Sequence, residues 1–102
     1  MAEQMRLVEW RPLQQGKLLG FATVELPIGL TIRECPLLRG SEGLWAALPR
    51  KPEIGRDGRC RIGAQGERLY AEMLAWRTSR LRDAFSERVV ALVRASYPAD
   101  LE

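Results

Sequence analysis

Gly40-Ser-Glu-Gly-Leu-Trp-Ala-Ala-Leu-Pro-Arg-Lys-Pro52 carries the densest run of local structural signals in the chain. Gly40 and Gly43 bracket a tight turn. Leu44, Ala46 and Leu48 then alternate with Trp45 and Ala47, so both faces of a short strand are apolar and it is expected to be covered on both sides. Pro49 and Pro52 have no amide hydrogen for a ladder, and pairing is expected to stop there. Arg50 and Lys51 lie between them. The residue before a proline is pushed away from helix, so this exit holds two cations side by side on extended backbone.

Upstream of this stretch the pattern is that of short strands and turns. Residues 5–12 form a first strand that Pro12 stops, with Trp10 as a core or interface aromatic. Gln14-Gln15-Gly16 makes a hairpin turn. A second strand, Lys17 to Leu26, sets Leu18, Ala22, Val24 and Leu26 on one face and Leu19, Phe21, Thr23 and Glu25 on the other. Pro27-Ile28-Gly29 turns the chain into a third strand, Leu30 to Pro36, with Ile28, Leu30 and Ile32 inward. The expected fold class is α+β: an antiparallel meander of four to five strands over residues 5–52, packed by a C-terminal amphipathic helix.

Downstream, residues 53–66 are rich in glycine and arginine and read as a long basic loop, with a short strand at Arg59–Ile62. No internal repeat stands out. Residues 67–77 admit two readings. Their Ala, Glu, Met and Leu content favours helix. As a strand they place Tyr70, Leu74 and Trp76 on one face, and this reading is preferred because Thr78-Ser79 then supplies an N-cap for the next element. That element, residues 78–97, is helical: Leu81, Ala84, Phe85, Val89, Leu92 and Val93 recur at helical spacing, and Pro98 follows.

A chain of 102 residues makes one domain. No apolar run approaches the ~18 residues of a membrane span, and Met1-Ala-Glu-Gln-Met-Arg has no apolar export region, so a cytoplasmic protein is expected. Cys35 and Cys60 are too few and too far apart for a disulfide framework or a metal knuckle. The net charge of +3 is unevenly spread. Residues 1–49 balance five basic against five acidic side chains, residues 50–82 hold nine basic against four acidic, and residues 83–102 hold two against four. Most of the excess is arginine, whose planar fork suits phosphates and base edges.

The chemistry of catalysis is thin. There is no histidine, the commonest general base and metal ligand. Ser41, Ser79, Ser86 and Ser96 have no evident base partner, and no nucleophile elbow is present. Glu25 and Glu34 on neighbouring strands can mimic an acid–base pair, but they read as the solvated side of a meander. No enzyme, cofactor, metal or small-molecule substrate is expected.

Gly40, Gly43, Leu44, Trp45, Ala46, Ala47, Leu48, Pro49, Arg50 and Lys51, followed by Asp57 and Gly58, resemble a motif of the septation protein G (SpoVG) family. There, a Gly-x-Gly-Leu-aromatic strand runs into a small-residue, Pro-basic segment and an Asp-Gly loop. Arg6-Leu7, Gly16-Lys17, Phe21 to Leu26 and Ile32-Arg33-Glu34 fall in the family's order. The resemblance covers residues 5 to 62 and fits the C-terminal third only loosely. It implies a small α+β homodimer that binds nucleic acid and acts in regulation.

Charge and resemblance together point to a nucleic-acid-binding regulator, with DNA and RNA both open. Arg50, Lys51, Arg56, Arg59 and Arg61 are the expected phosphate contacts, extended by Arg77, Arg80 and Arg82 near the last helix. Trp45 and Tyr70 are expected to be buried rather than to stack on bases. The competing reading is a protein-interaction or dimerisation module, because three tryptophans in a small meander leave more apolar surface than one helix covers.

Overall fold

The computed structural model describes residues 4–102. The first three residues, part of the N-terminal stretch considered above for export, lie outside the described residues. The fold is α+β. A four-stranded antiparallel meander consists of β1 (Arg6–Gln15), β2 (Leu18–Glu25), β3 (Thr31–Gly40) and β4 (Gly43–Ala46), in sheet order β1-β2-β3-β4. Two short strands, β5 (Arg50–Pro52) and β6 (Tyr70–Glu72), pair in a second sheet. The helix α1 (Ser79–Ser96) and a terminal 3-10 turn (Pro98–Leu101) complete the chain. Among the described residues no helix is long and apolar enough to cross a membrane.

β1 continues through Pro12 to Gln15 rather than stopping there. β1 is an edge strand, where a proline's missing donor costs no ladder bond if it faces outward. The turn into β2 is Gly16-Lys17, one residue later than expected. In β2, Leu19, Ala22 and Val24 are all buried. Strict alternation would separate Leu19 from the other two, but the register shift between Leu18 and Gly20, where two steps of β2 match one of β3, changes the parity. β3 also runs on through Pro36 to Gly40. Of the residues expected inward on this strand, Ile32 is buried, whereas Leu30 is half exposed and Ile28, in the preceding turn, is 84 % exposed.

The core is formed by Trp10, Leu19, Ala22, Val24, Ile32, Cys35 and Leu37 from the sheet, and by Phe85, Val89, Val90 and Val93 from α1. Thr78 caps the helix, its Oγ1 accepting from the Leu81 amide at 3.2 Å. Of the spaced apolar residues read from the sequence, Leu81 and Ala84 remain exposed and Leu92 half-buried, while Val90 joins the core. The helix is tied to β4 by the Ala46 amide, which donates to Ser86 Oγ at 2.8 Å. At the far end, Trp10 Nε1 donates to Asp100 Oδ2 at 2.9 Å and Arg39 donates to the Leu101 carbonyl at 2.9 Å, pinning the C-terminus to the sheet.

Burial pushes the Cys35 thiol from 9.0 up to about 12. An acid that ionises later in the folded than in the unfolded chain contributes stability that is complete below its unfolded pKa and is lost as pH rises toward its folded one. The stability difference between wild type and Cys35→Ala in urea titrations should therefore shrink between pH 9.0 and about 12. A constant difference across that range contradicts the burial of this thiol.

Candidate nucleic-acid interface

Residues 50–72, read as strand exit and basic loop, form a three-way junction of hairpins. The Glu53 amide donates to the Leu69 carbonyl (2.8 Å), the Arg61 amide to the Glu53 carbonyl (2.7 Å) and the Leu69 amide to the Arg61 carbonyl (3.0 Å). These three bonds close a ring, and a finger leaves each side of it. The first finger is pinned by the Ile54–Cys60 bridge, the second by Ile62–Arg68, and the third is the β5–β6 pair that leads back to the body.

The sequence holds the signal for this arrangement in a repeat that the reading above passed over. Ile54-Gly-Arg-Asp-Gly58 and Ile62-Gly-Ala-Gln-Gly66 are one pattern eight residues apart. Each makes the same tip: the Gly58 amide bonds to the Gly55 carbonyl and the Gly66 amide to the Gly63 carbonyl, at 3.0 and 3.1 Å. Gly58 and Gly66 have φ of +80° and +83°. This is a three-residue hairpin loop closed by a left-handed residue, where glycine avoids the Cβ penalty. Asp57 Oδ1 accepts from the Arg59 amide at 3.0 Å and stiffens the first tip.

Alternation along these strands separates the cations. Arg50 lies on the same face as Tyr70, with its guanidinium 5.6 Å from the ring centroid. Lys51 projects from the opposite face of β5. Arg61 is ion-paired with Glu53 at 2.5 Å. Arg56 stands in the first tip and Arg59 on the strand descending from it, both exposed. Arg80 and Arg82 lie in the first turn of α1, where there is no acidic residue, and Arg82 Nε meets Asp83 Oδ1 at 3.2 Å. Exposed pairs of this kind contribute about 0–1 kcal/mol and leave both partners free to exchange. Glu25 and Glu34 do not face each other as an acid pair; they are bonded to Arg6 and Arg11, each below 3 Å.

Three of the eight candidate residues converge. Arg50 from the base of the arm that residues 50–72 form, Arg77 from the connector 73–78 and Arg82 from α1 line a groove of about 640 Å³, whose apolar lining includes Trp45, Leu48, Leu74 and Trp76. Trp76 is held by Phe85, ring centroids 5.1 Å apart. Glu72 and Asp83 are its acidic members. Lys51, Arg56, Arg59, Arg61 and Arg80 lie outside it. Trp45 and Tyr70, expected to be buried, are both nearly half exposed. β4 is the edge strand of its sheet and α1 packs along it, so Ala46 is buried while the neighbouring Trp45 side chain is left in solvent. The expected two-sided burial of β4 does not occur.

No family model matches the chain, and no curated protein matches it.

No residue from 47 through 84 is buried. The molecule is elongated, 49 × 31 × 23 Å, with a radius of gyration of 15.0 Å against about 13 Å for a compact chain of this length. An arm held by backbone bonds with no core beneath them should open locally well below the global unfolding free energy. Hydrogen exchange should release the Glu53, Arg61 and Leu69 amides before those of β2, β3 and α1. Equal protection of arm and sheet contradicts this description.

Proposed function

We propose that the protein is a small nucleic-acid-binding regulator whose polyanion surface is the groove of Arg50, Arg77 and Arg82, extended along the arm by Arg56 and Arg59, with Lys51 on the opposite face of β5. The observation that supports this reading is the meeting of three arginines, separate in sequence, at one groove. The local charge adds to it, since nine of the sixteen basic residues lie within residues 50–82. The resemblance to the septation protein G family points the same way, to a homodimer that acts on DNA or RNA. Arg61 and Arg82 take part by exchanging a surface carboxylate for a phosphate, a small cost for exposed pairs. Arg80, exposed in the first turn of α1, adds long-range attraction.

A second reading rests on a different surface. Ile54, Ile62 and Tyr70 occupy equivalent positions, each one residue past the hydrogen-bonded ring, and all three are about half exposed. A row of apolar side chains on a corefree arm suits a protein partner or a second copy. The two readings are compatible, because a dimer doubles the basic surface.

The test is a gel-shift and anisotropy series on single- and double-stranded DNA and RNA. Wild-type affinity should fall between about 50 and 200 mM salt by ~100-fold or more on duplex DNA, and by ~50-fold or more on single strands, if four to six phosphates are neutralised. Arg50→Glu combined with Arg77→Glu should abolish the shift at the lower salt. A chain that serves protein partners only shows no binding in either condition, and unchanged affinity in the double variant removes the groove from the interface.

A further inference from the structure

Trp45 stands between two grooves of opposite character. On one side is the groove of Arg50, Arg77 and Arg82. On the other is a second cleft of about 550 Å³ that Trp45 also lines, with Glu42, Asp83 and Glu87 on its walls and neither lysine nor arginine. The indole rests against Gly40: a Cβ there would come within 3.1 Å of Trp45 Nε1 and 3.3 Å of Cδ1, so the missing side chain lets the ring lie close to β3. Even so, 46 % of Trp45 is exposed. A large aromatic ring that is braced on one edge and wet elsewhere is an unusual use of tryptophan in a chain whose Trp10 is fully in the core.

We infer that Trp45 is a stacking platform for an unpaired base of a single-stranded nucleic acid whose phosphates lie on Arg50 and Arg77. This rests on the nucleic-acid reading above and specifies its substrate class. Charge complementarity fixes the direction of approach. A polyanion reaches the indole from the arginine side, while Glu42 and Glu87 of the second cleft repel it there and end its path at Trp45. Of the two acids in the first groove, Asp83 is engaged by Arg82, which leaves Glu72 against Arg50 and Arg77. The groove's size falls within the ~300–1,000 Å³ of clefts that take small ligands, enough for a base to enter edge-on or stacked. A duplex keeps its bases paired and stacked internally, and can offer this groove only its backbone. The discrimination is therefore for single strands and tolerant of sequence, since every base has a π-face.

The experiment compares wild type, Trp45→Ala and Trp45→Leu on an oligothymidylate of about 16 nucleotides and on a duplex of about the same length, by fluorescence anisotropy. Both variants should bind the single strand at least about fivefold more weakly, the lower end of what loss of one stacked base produces. Duplex binding should change by less than about twofold over the same series. Trp45→Leu keeps apolar volume at the site and carries the test if circular dichroism shows that the alanine variant has not folded. Independently of any variant, 2-aminopurine placed within the oligonucleotide should lose emission as wild-type protein saturates it. Unchanged single-strand affinity, an equal loss on the duplex, or unchanged 2-aminopurine emission overturns the stacking assignment. If Arg50→Glu with Arg77→Glu abolishes binding while the Trp45 variants bind normally, stacking fails and the nucleic-acid reading stands. Absence of wild-type binding to both oligonucleotides sinks the stacking assignment, and absence of binding to single- and double-stranded RNA as well sinks the nucleic-acid reading.

Discussion

Pro49 has no amide hydrogen to offer, and the course of the chain beyond β4 depends on that missing donor. The Ala47 amide still bonds to the Pro36 carbonyl at 3.0 Å, and the ladder with β3 ends there. The backbone leaves the sheet, stays extended through Arg50 and Lys51 because Pro52 follows, and takes β6 as its partner in place of β3. Since β6 returns directly into the connector before α1, this choice brings the arm's base, the connector and the start of the helix to one place. Arg50, Arg77 and Arg82 meet for that reason. A strand that continued along β3 would have carried Arg50 away from the helix.

The body beneath is conventional by comparison. Sheet and helix bury about a dozen apolar side chains between them, and the helix is fixed at both ends of its contact: Ser86 takes the last β4 amide, and the C-terminal turn is held by Trp10, Gln14 and Arg39. Each tie satisfies a donor that would otherwise be left without a partner at the edge of the core. Among the described residues, no buried side-chain nitrogen or oxygen lacks a partner. The arm has no such support. Its order comes from the three-bond ring and the two glycine-closed tips, which explains how residues 50–72 can be arranged without one of them being buried.

Much of the body was legible in the sequence. Glycine and proline turns separate the four strands, and Thr78-Ser79 and Pro98 bracket the helix, because these signals act through local backbone geometry. What alternation alone missed was parity. One extra residue in β2, between Leu18 and Gly20, places Leu19 with Ala22 and Val24, and nothing in the residue pattern announces a bulge. Pro12 and Pro36 misled in the opposite sense: Pro12 lies on the edge strand β1, and Pro36 lies in β3 just beyond its pairing with β4, where its carbonyl still accepts from Ala47, and both placements depend on sheet order rather than on the residue. The arm was legible only as composition. Its repeat is short, and its ring bonds join residues 8 and 16 positions apart, so no local propensity encodes them. For the site, the clustering of arginine in residues 50–82 was visible, but which of the eight share a groove was not. Alternation sends Lys51 away from Arg50, and Trp45 was expected inside because its neighbours are apolar on both faces.

The functional account thus turns on a place rather than a composition: the junction of β4, the arm and the first turn of α1. Its most direct test is a backbone-amide chemical-shift titration of the protein with a short single-stranded oligonucleotide. The account predicts shifts concentrated at residues 44–51 and 74–82, with smaller ones along the arm and little change in β1 and β2. Shifts confined to the β1 edge or to the C-terminal turn, with residues 44–51 and 74–82 unmoved, contradict it.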